Sequence, residues 1–332
     1  MPVYGQDITS ARTLVGSLDK VATDALVPVL DALEANPPAE LISSDKTINV
    51  AAATQLFEAV GDAAPSLAEC AETVESLPQF ALPQLEEIMG PARQKLSEVN
   101  ALVQGAADFS PLAAPVLGAE GNRTYLIVAQ NSAEMRASGG FPGSMGTLRI
   151  QDGKIELDEF SKVYDVMEEA TPASMGITDA ERALFGGFMD VARDAGMDPD
   201  FPRVAAIWAA AYEEKTGVQL DGVISVTPAV VQDLLAIAGS ITLEDGTVVD
   251  GSNATKVLQH DLYWNYLSKE TSASGNGDLT DALFAQAADL AFEKFFSGLN
   301  SGTSCSLQSL WPRASTIALS CSGSPMRPSR MH

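Results

Sequence analysis

Apolar positions recur every three or four residues through the first third of the chain. Leu14, Leu18, Val21 and Ala25 form one such set, and Leu85, Ile88, Ala92, Leu96, Val99 and Val103 form another. Each set places one apolar stripe on a helix. Asn36-Pro37-Pro38 and Leu82-Pro83 interrupt the pattern, and Ser43 to Asn49 is a polar connection. Residues 1–117 are therefore expected to form a helical region of three to five antiparallel helices.

Near Gly118 the period changes. Tyr125-Leu-Ile-Val-Ala-Gln130 is a short apolar run between Gly121-Asn122 and Asn131-Ser132, which predicts a strand buried on both faces. Ser144 to Ile150 and Lys154 to Asp158 flank Asp152-Gly153, a hairpin signal. Asp179 to Ala195 reads as a helix with Gly196 as its stop, Asp198-Pro-Asp-Phe-Pro202 as a rigid loop, and Arg203 to Thr216 as an amphipathic helix. Asp221 to Val226 predicts another strand, and Pro228 to Ala238 a helix opened by its proline. A second hairpin turns at Asp245-Gly246, and helices over 252–267 and 279–299 follow. Interleaved strands and helices predict an α/β (α+β) domain with a mixed sheet over residues 118–300.

Composition narrows the function classes. The chain has 332 residues, 46% hydrophobic and 19% charged, enough for two domains with real cores. A formal net charge of −24 repels phosphodiester backbones and disfavours nucleic acid as a partner. Neither a run of eighteen apolar residues nor a basic, then apolar, leader is visible, so the chain as written is expected to be soluble. Three scattered cysteines and two histidines offer no disulfide framework, zinc site or histidine-based triad. Residues 301–332 contain no acidic residue and several Ser and Pro. This tail is expected to be unstructured, and foreign to the rest through a frameshift or a truncated gene.

The candidate chemistry concentrates in Asn131 to Ser144, where a lone arginine and a glycine-rich loop follow the buried strand. Between two strands, and without a Gly-Lys-Ser/Thr ending, the loop is not a nucleotide P-loop. The Arg136 guanidinium fits phosphate or carboxylate oxygens, and Ser138, Gly139 and Gly140 offer convergent backbone N–H groups. The plainer alternative pairs Arg136 with Glu134 or a nearby acid and leaves the glycines to permit a tight turn. Asp165, Asp198, Asp200 and Asp221 are candidate oxygen ligands for magnesium beside a phosphorylated substrate; otherwise Asp198 and Asp200 shape their loop and Asp221 starts a strand. Trp208, Tyr212, Tyr263 and Trp264 read as core residues, or as the lining of an apolar groove. His260 has no evident partner in the sequence.

The order Tyr125 to Asn131, then Ala-Glu-Met-Arg-Ala-Ser-Gly-Gly-Phe-Pro-Gly-Ser144, the Asp-Gly hairpin, Asp198-Pro-Asp-Phe-Pro202 and Leu220-Asp-Gly-Val-Ile224 resembles the bacterial domain-of-unknown-function 4012 family over about residues 20–300. The resemblance implies a protein of the cell envelope at the outer face of the cytoplasmic membrane. It also implies membrane association through an N-terminal helix that this sequence does not show. A more remote similarity links the domain to the LytR-CpsA-Psr family, which moves glycopolymers from a polyprenyl pyrophosphate carrier to the wall. That similarity implies a related α/β fold, with Arg136 matching the first loop arginine and Asp165 the functional aspartate. Tyr164 stands where those enzymes carry an arginine, and their later arginine-rich segment has no clear counterpart, which weakens the borrowed transferase mechanism. The expected activity is binding or transfer of a phosphorylated or pyrophosphate-linked lipid or glycan. Arg136 and Asp165 would act in catalysis, and Ser138, Gly139, Gly140, Ser144 and Asp200 in ligand binding. The alternative is a non-catalytic envelope module that engages a protein or a wall polymer.

Overall fold

The computed structural model describes residues 3–37, 40–43, 45–266, 276–299 and 319–321. The chain divides into two compact units, Met1–Gly121 and Asn122–His332.

The first unit is helical. Helix α1 (Val3–Val21) runs through a π turn (Ala22–Leu26) into α2 (Val27–Ala35), and α3 (Val50–Ser76) and α4 (Pro83–Val116) follow. The wide turn has a local cause. Pro28 lacks an N–H, and its ring crowds the carbonyl four residues earlier, so the helix relaxes ahead of it. Asn49 caps α3 by accepting from the Ala52 N–H at 3.1 Å. Helix α4 opens on Pro83 without an oxygen on its own cap residue, Leu82. The buried Asp7 on α1 anchors the connection just ahead of α4, accepting from the Ala81 and Leu82 N–H groups at 3.0 and 3.2 Å. Cys70, Val74, Phe80 and Met89 form the local core, with Leu14, Val21 and Leu96 against it.

Both predicted stripes shift in detail. On α1, Leu14 and Val21 turn inward while Leu18 is exposed. On α4 the inward face passes through Met89, Arg93 and Leu96; it lies one residue past the predicted Ile88 and Ala92, leaving Ile88 exposed, and meets the predicted set at Leu96. The reason is polar. Arg93 is drawn inward by Glu86 at 2.8 Å and by the carbonyls of Val74, Leu77 and Pro78, each at 3.4 Å. Its guanidinium therefore sets the rotation of the helix.

The second unit is a mixed α/β domain. Its strands are β1 (Arg123–Asn131), β2 (Phe141–Gln151), β3 (Lys154–Leu157), β4 (Ser161–Lys162) and β5 (Gly222–Val226), with a separate hairpin of β6 (Ile241–Thr242) and β7 (Val248–Val249). A last strand, β8 (Leu319–Cys321), pairs antiparallel with β5. The rest of the tail expected to be unstructured lies outside the described residues. The sheet order is β3-β2-β1-β5-β8, with β4 also on β2. Strand β1 runs antiparallel to β2 and parallel to β5, which makes the sheet mixed. The β2–β3 hairpin turns where expected, with Asp152 and Gly153 both at positive φ (51° and 81°).

Helices α5 (Val163–Met167), α6 (Asp179–Phe185), α7 (Phe201–Thr216), α8 (Pro228–Ala238), α9 (Ala254–Lys256), α10 (Leu262–Tyr266) and α11 (Asn276–Leu299) complete the unit, with a π turn (Val257–Asp261) between α9 and α10. Leu126 and Val128 join the core formed with Met145, Met167, Met189 and Trp208. Tyr125, Ile127 and Ala129, alternating with them, are equally buried, while α8 and α11 pack on one another and against the strands. The helix expected over 179–195 stops at Phe185, because Gly186 takes a left-handed φ of 67°. Two 3-10 turns, Gly186–Asp190 and Ala192–Met197, carry the chain onward.

Candidate functional site

The segment between β1 and β2 is held from beneath by Gln130, a fully buried amide at the end of β1. Its Nε2 donates to the Gly140 carbonyl at 3.0 Å and more weakly to that of Ser138 at 3.5 Å, while its Oε1 accepts from the Ser225 hydroxyl on β5. The loop folds down onto this amide, which explains its glycines. A Cβ on Gly139 (φ 133°) would sit 2.8 Å from Gln130 Oε1, and one on Gly140 would sit 2.4 Å from the Asn131 carbonyl oxygen. Close approach of backbone to backbone is what requires glycine here.

The N–H groups of Ser138, Gly139 and Phe141 are already engaged. The Ser138 N–H and hydroxyl both point to the Gly196 carbonyl, at 3.1 and 3.2 Å. The Gly139 N–H donates to Arg136 O at 3.2 Å, and that of Phe141 to Glu134 O at 3.0 Å. Arg136 lies over the Phe141 ring, its guanidinium carbon 5.3 Å from the ring centre. Its Nη1 donates to the Met135 carbonyl at 3.1 Å, and its Nη2 pairs with Asp194 at 3.3 Å. The Arg136 Nε is buried and has no hydrogen-bond partner. A second arginine stands nearby: Arg193 stacks on Tyr164 at 5.1 Å, pairs with Glu168, and lies 3.9 Å from Asp194. Two guanidinium groups thus share Asp194, and Tyr164 bridges toward Phe141 at a ring separation of 6.2 Å.

The four aspartates do not assemble a cation site. Asp165 is exposed in the first turn of the short helix α5. Asp200 is the exposed residue before α7, and its N–H donates to the carboxylate of the buried Asp198 at 2.8 Å. Asp221 accepts from the Thr124 N–H at 2.7 Å and pairs with Arg123 at 3.4 Å, which ties β5 to the start of β1. Among the described residues no group of three or more His, Cys, Asp or Glu side chains is placed to hold a metal ion. The four aspartates therefore do not fit a shared magnesium site.

Ser144 borders a different feature. It is buried on β2 with its hydroxyl unpartnered, and it lines a cleft of about 360 Å³ together with Glu159, Phe160, Lys162, Glu244 and Asp289. Three carboxylates against one lysine make that cleft unfavourable for phosphate.

Several residues that build the site carry no signal in the sequence. Asp194 sits in a segment expected to be helical, and Gly196 at a position expected only to stop that helix. Gln259 donates to the Ser132 hydroxyl at 2.5 Å, and the Tyr263 hydroxyl bonds to Asn131 and, at 2.9 Å, to Glu134. Helix α10 and the π turn before it thereby clamp the first half of the loop. Of the aromatic residues, Trp208 is fully buried and donates to the Ala192 carbonyl at 2.9 Å, whereas Trp264 is exposed and stacks on His260. His260 in turn contacts Asp261 at 2.8 Å.

A mixed sheet with a packed glycine loop and paired arginines is thus the class of domain this chain contains. Residues 120–263 match the model of a family described as a protein of unknown function, DUF4012. The match supports the resemblance to that family over β1 to α10. No curated protein and no solved structure matches the chain. Among the described residues no helix is long and apolar enough to cross a membrane.

Proposed function

We propose that this chain is a non-catalytic binding module of the bacterial cell envelope, engaging a protein or a wall polymer through its surface, and that the Arg136 loop is a structural element of it. The observation that carries this reading is the state of Arg136. Its two terminal nitrogens are held by Asp194 and the Met135 carbonyl, and the Ser138, Gly139 and Phe141 N–H groups donate to backbone carbonyls. An incoming phosphate would have to displace a carboxylate and break those bonds for charge-assisted contacts of similar strength. The envelope setting rests on the family resemblance.

One observation favours the second reading, a phosphorylated lipid or glycan bound at Arg136. The buried Arg136 Nε lacks a partner, and Arg193 stands close by. Titration of the protein with a polyprenyl pyrophosphate, comparing the parent with Arg136→Ala, separates the two. We expect no saturable binding that depends on Arg136. Binding by the parent that a folded Arg136→Ala variant loses would overturn the structural assignment and restore the phosphate site.

A further inference from the structure

The rod formed by α1, the π turn and α2 packs against the rest of its unit along one side only. Asp7, Ser10, Leu14, Val21 and Ala25 are buried or half-buried on that side. One residue further round lies a second stripe: Ile8, Ala11, Val15, Leu18, Ala22, Leu26 and Leu30. Its large members, Ile8, Val15, Leu18, Leu26 and Leu30, are each between 48% and 65% exposed. The spacing alternates three and four residues as far as Ala22 and then becomes four and four. In a regular helix the last two side chains would drift off the line, but the wide π turn at Ala22–Leu26 takes up the extra residue and returns them to it. The stripe is thus a straight apolar seam about 33 Å long at 1.5 Å per residue. A seam of this kind is unusual on the open surface of a folded chain.

What covers it is indicated by its free edge. On the side away from the packed face stand Arg12 and Asp19, seven residues apart, both exposed and neither in any ion pair among the described residues. Two copies of the seam laid antiparallel about a two-fold axis, with Val15 of one copy against Leu18 of the other, bring this edge against itself. Each Arg12 then lies beside the other copy's Asp19. A parallel pairing sets the edge against the packed face instead and leaves both charges unmatched. A net charge of −24 opposes adsorption to an anionic lipid surface.

We infer that the seam is the interface of a homodimer in which the α1–α2 rods of two chains pack antiparallel, with reciprocal Arg12–Asp19 ion pairs closing its edge. The contact is isologous, as closed two-fold dimers require. It stands whichever way the Arg136 titration falls.

Sedimentation velocity on the full chain at micromolar to tens-of-micromolar concentrations tests it. The expected species is a dimer that Leu18→Glu converts to monomer. Arg12→Asp places like charges at both ends of the contact and is expected to weaken association about tenfold, in line with two exposed ion pairs turned into repulsions. The double variant Arg12→Asp, Asp19→Arg restores the pairing with its sign reversed and is expected to return to within about threefold of the parent. A chain that stays monomeric throughout overturns the inference, as does a dimer indifferent to Leu18→Glu. Failure of the double variant to rescue Arg12→Asp overturns the antiparallel register. A monomer that instead floats with neutral phosphatidylcholine vesicles through the same leucine assigns the seam to lipid.

Discussion

Gln130 Nε2 donates to the Gly140 carbonyl at 3.0 Å across ten residues of chain, so the side chain that ends β1 holds the backbone that begins β2. The same amide accepts from Ser225 on β5, and one buried group therefore ties three neighbouring strands together. Replacing it with an apolar isostere leaves the Gly140 carbonyl and the Ser225 hydroxyl buried without partners. Gln130→Leu is expected to destabilise the domain by about 3 kcal/mol, at roughly 1–3 kcal/mol for each orphaned group. Urea denaturation followed by tryptophan fluorescence measures this, and a loss under about 1 kcal/mol would show that the amide does not organise the loop.

The glycines of the loop differ from others in the chain in what surrounds them. Gly140→Ala is expected to cost at least about 2 kcal/mol, because the new Cβ meets a carbonyl that cannot withdraw without moving β1. Gly187, in the 3-10 turn after α6, has open space around it and serves as the control. Gly187→Ala is expected to stay within about 0.5 kcal/mol of the parent. Equal melting temperatures for the two variants would refute the close-packing explanation.

Glu181 closes a capping box at the start of α6: it accepts from the Thr178 N–H at 2.7 Å, and its own N–H donates to Thr178 Oγ1 at 3.2 Å. It also pairs with Arg203 on α7. The hydrogen bond from Arg203, followed by those from Thr178, lowers its pKa from 4.5 to about 2 against the opposing effect of burial. A depressed carboxylate pKa contributes stability that is complete above the unfolded value and disappears as the pH falls through the folded one. Between pH 4.5 and pH 2 the parent should therefore lose stability more steeply than Glu181→Gln. Acid titration of the two proteins by circular dichroism gives the comparison, and parallel curves would count against the linkage.

In the helical unit, Asp7→Ala removes the carboxylate that accepts the Ala81 and Leu82 N–H groups in the connection ahead of α4. Leaving part-buried donors unpaired costs about 1–3 kcal/mol. Asp7→Asn retains an acceptor and should retain part of that stability. Thermal melts that place alanine and asparagine together would argue that the acceptor is irrelevant.

Features that depend on neighbouring residues were legible in the chain itself. The Asp152-Gly153 turn, the proline that opens α8 and the apolar run of β1 are local patterns with local causes, and each element lies where it was expected. Misreadings arose where a distant group decides. Arg93 turns the first part of α4 by one residue because carbonyls at the end of α3 and on the connection after it attract its guanidinium. Gly186 ends α6 early for a local reason, its positive φ, but the pairing of Asp194 with Arg136 across 58 residues is set by the tertiary fold. An arginine in a glycine loop suggests an anion site as readily as a packed turn, and only the position of Asp194 separates the two.

The parallel pairing of β1 with β5 also sets an order of assembly. Strands β1, β2 and β3 are consecutive and can find one another by short loop closures, whereas Gln130 meets Ser225 only across a sequence separation of 95. Closure over that distance comes late and slowly. Truncating Ile224, in the middle of β5, should therefore leave the early meander untouched, slow refolding little, and express itself mainly as faster unfolding.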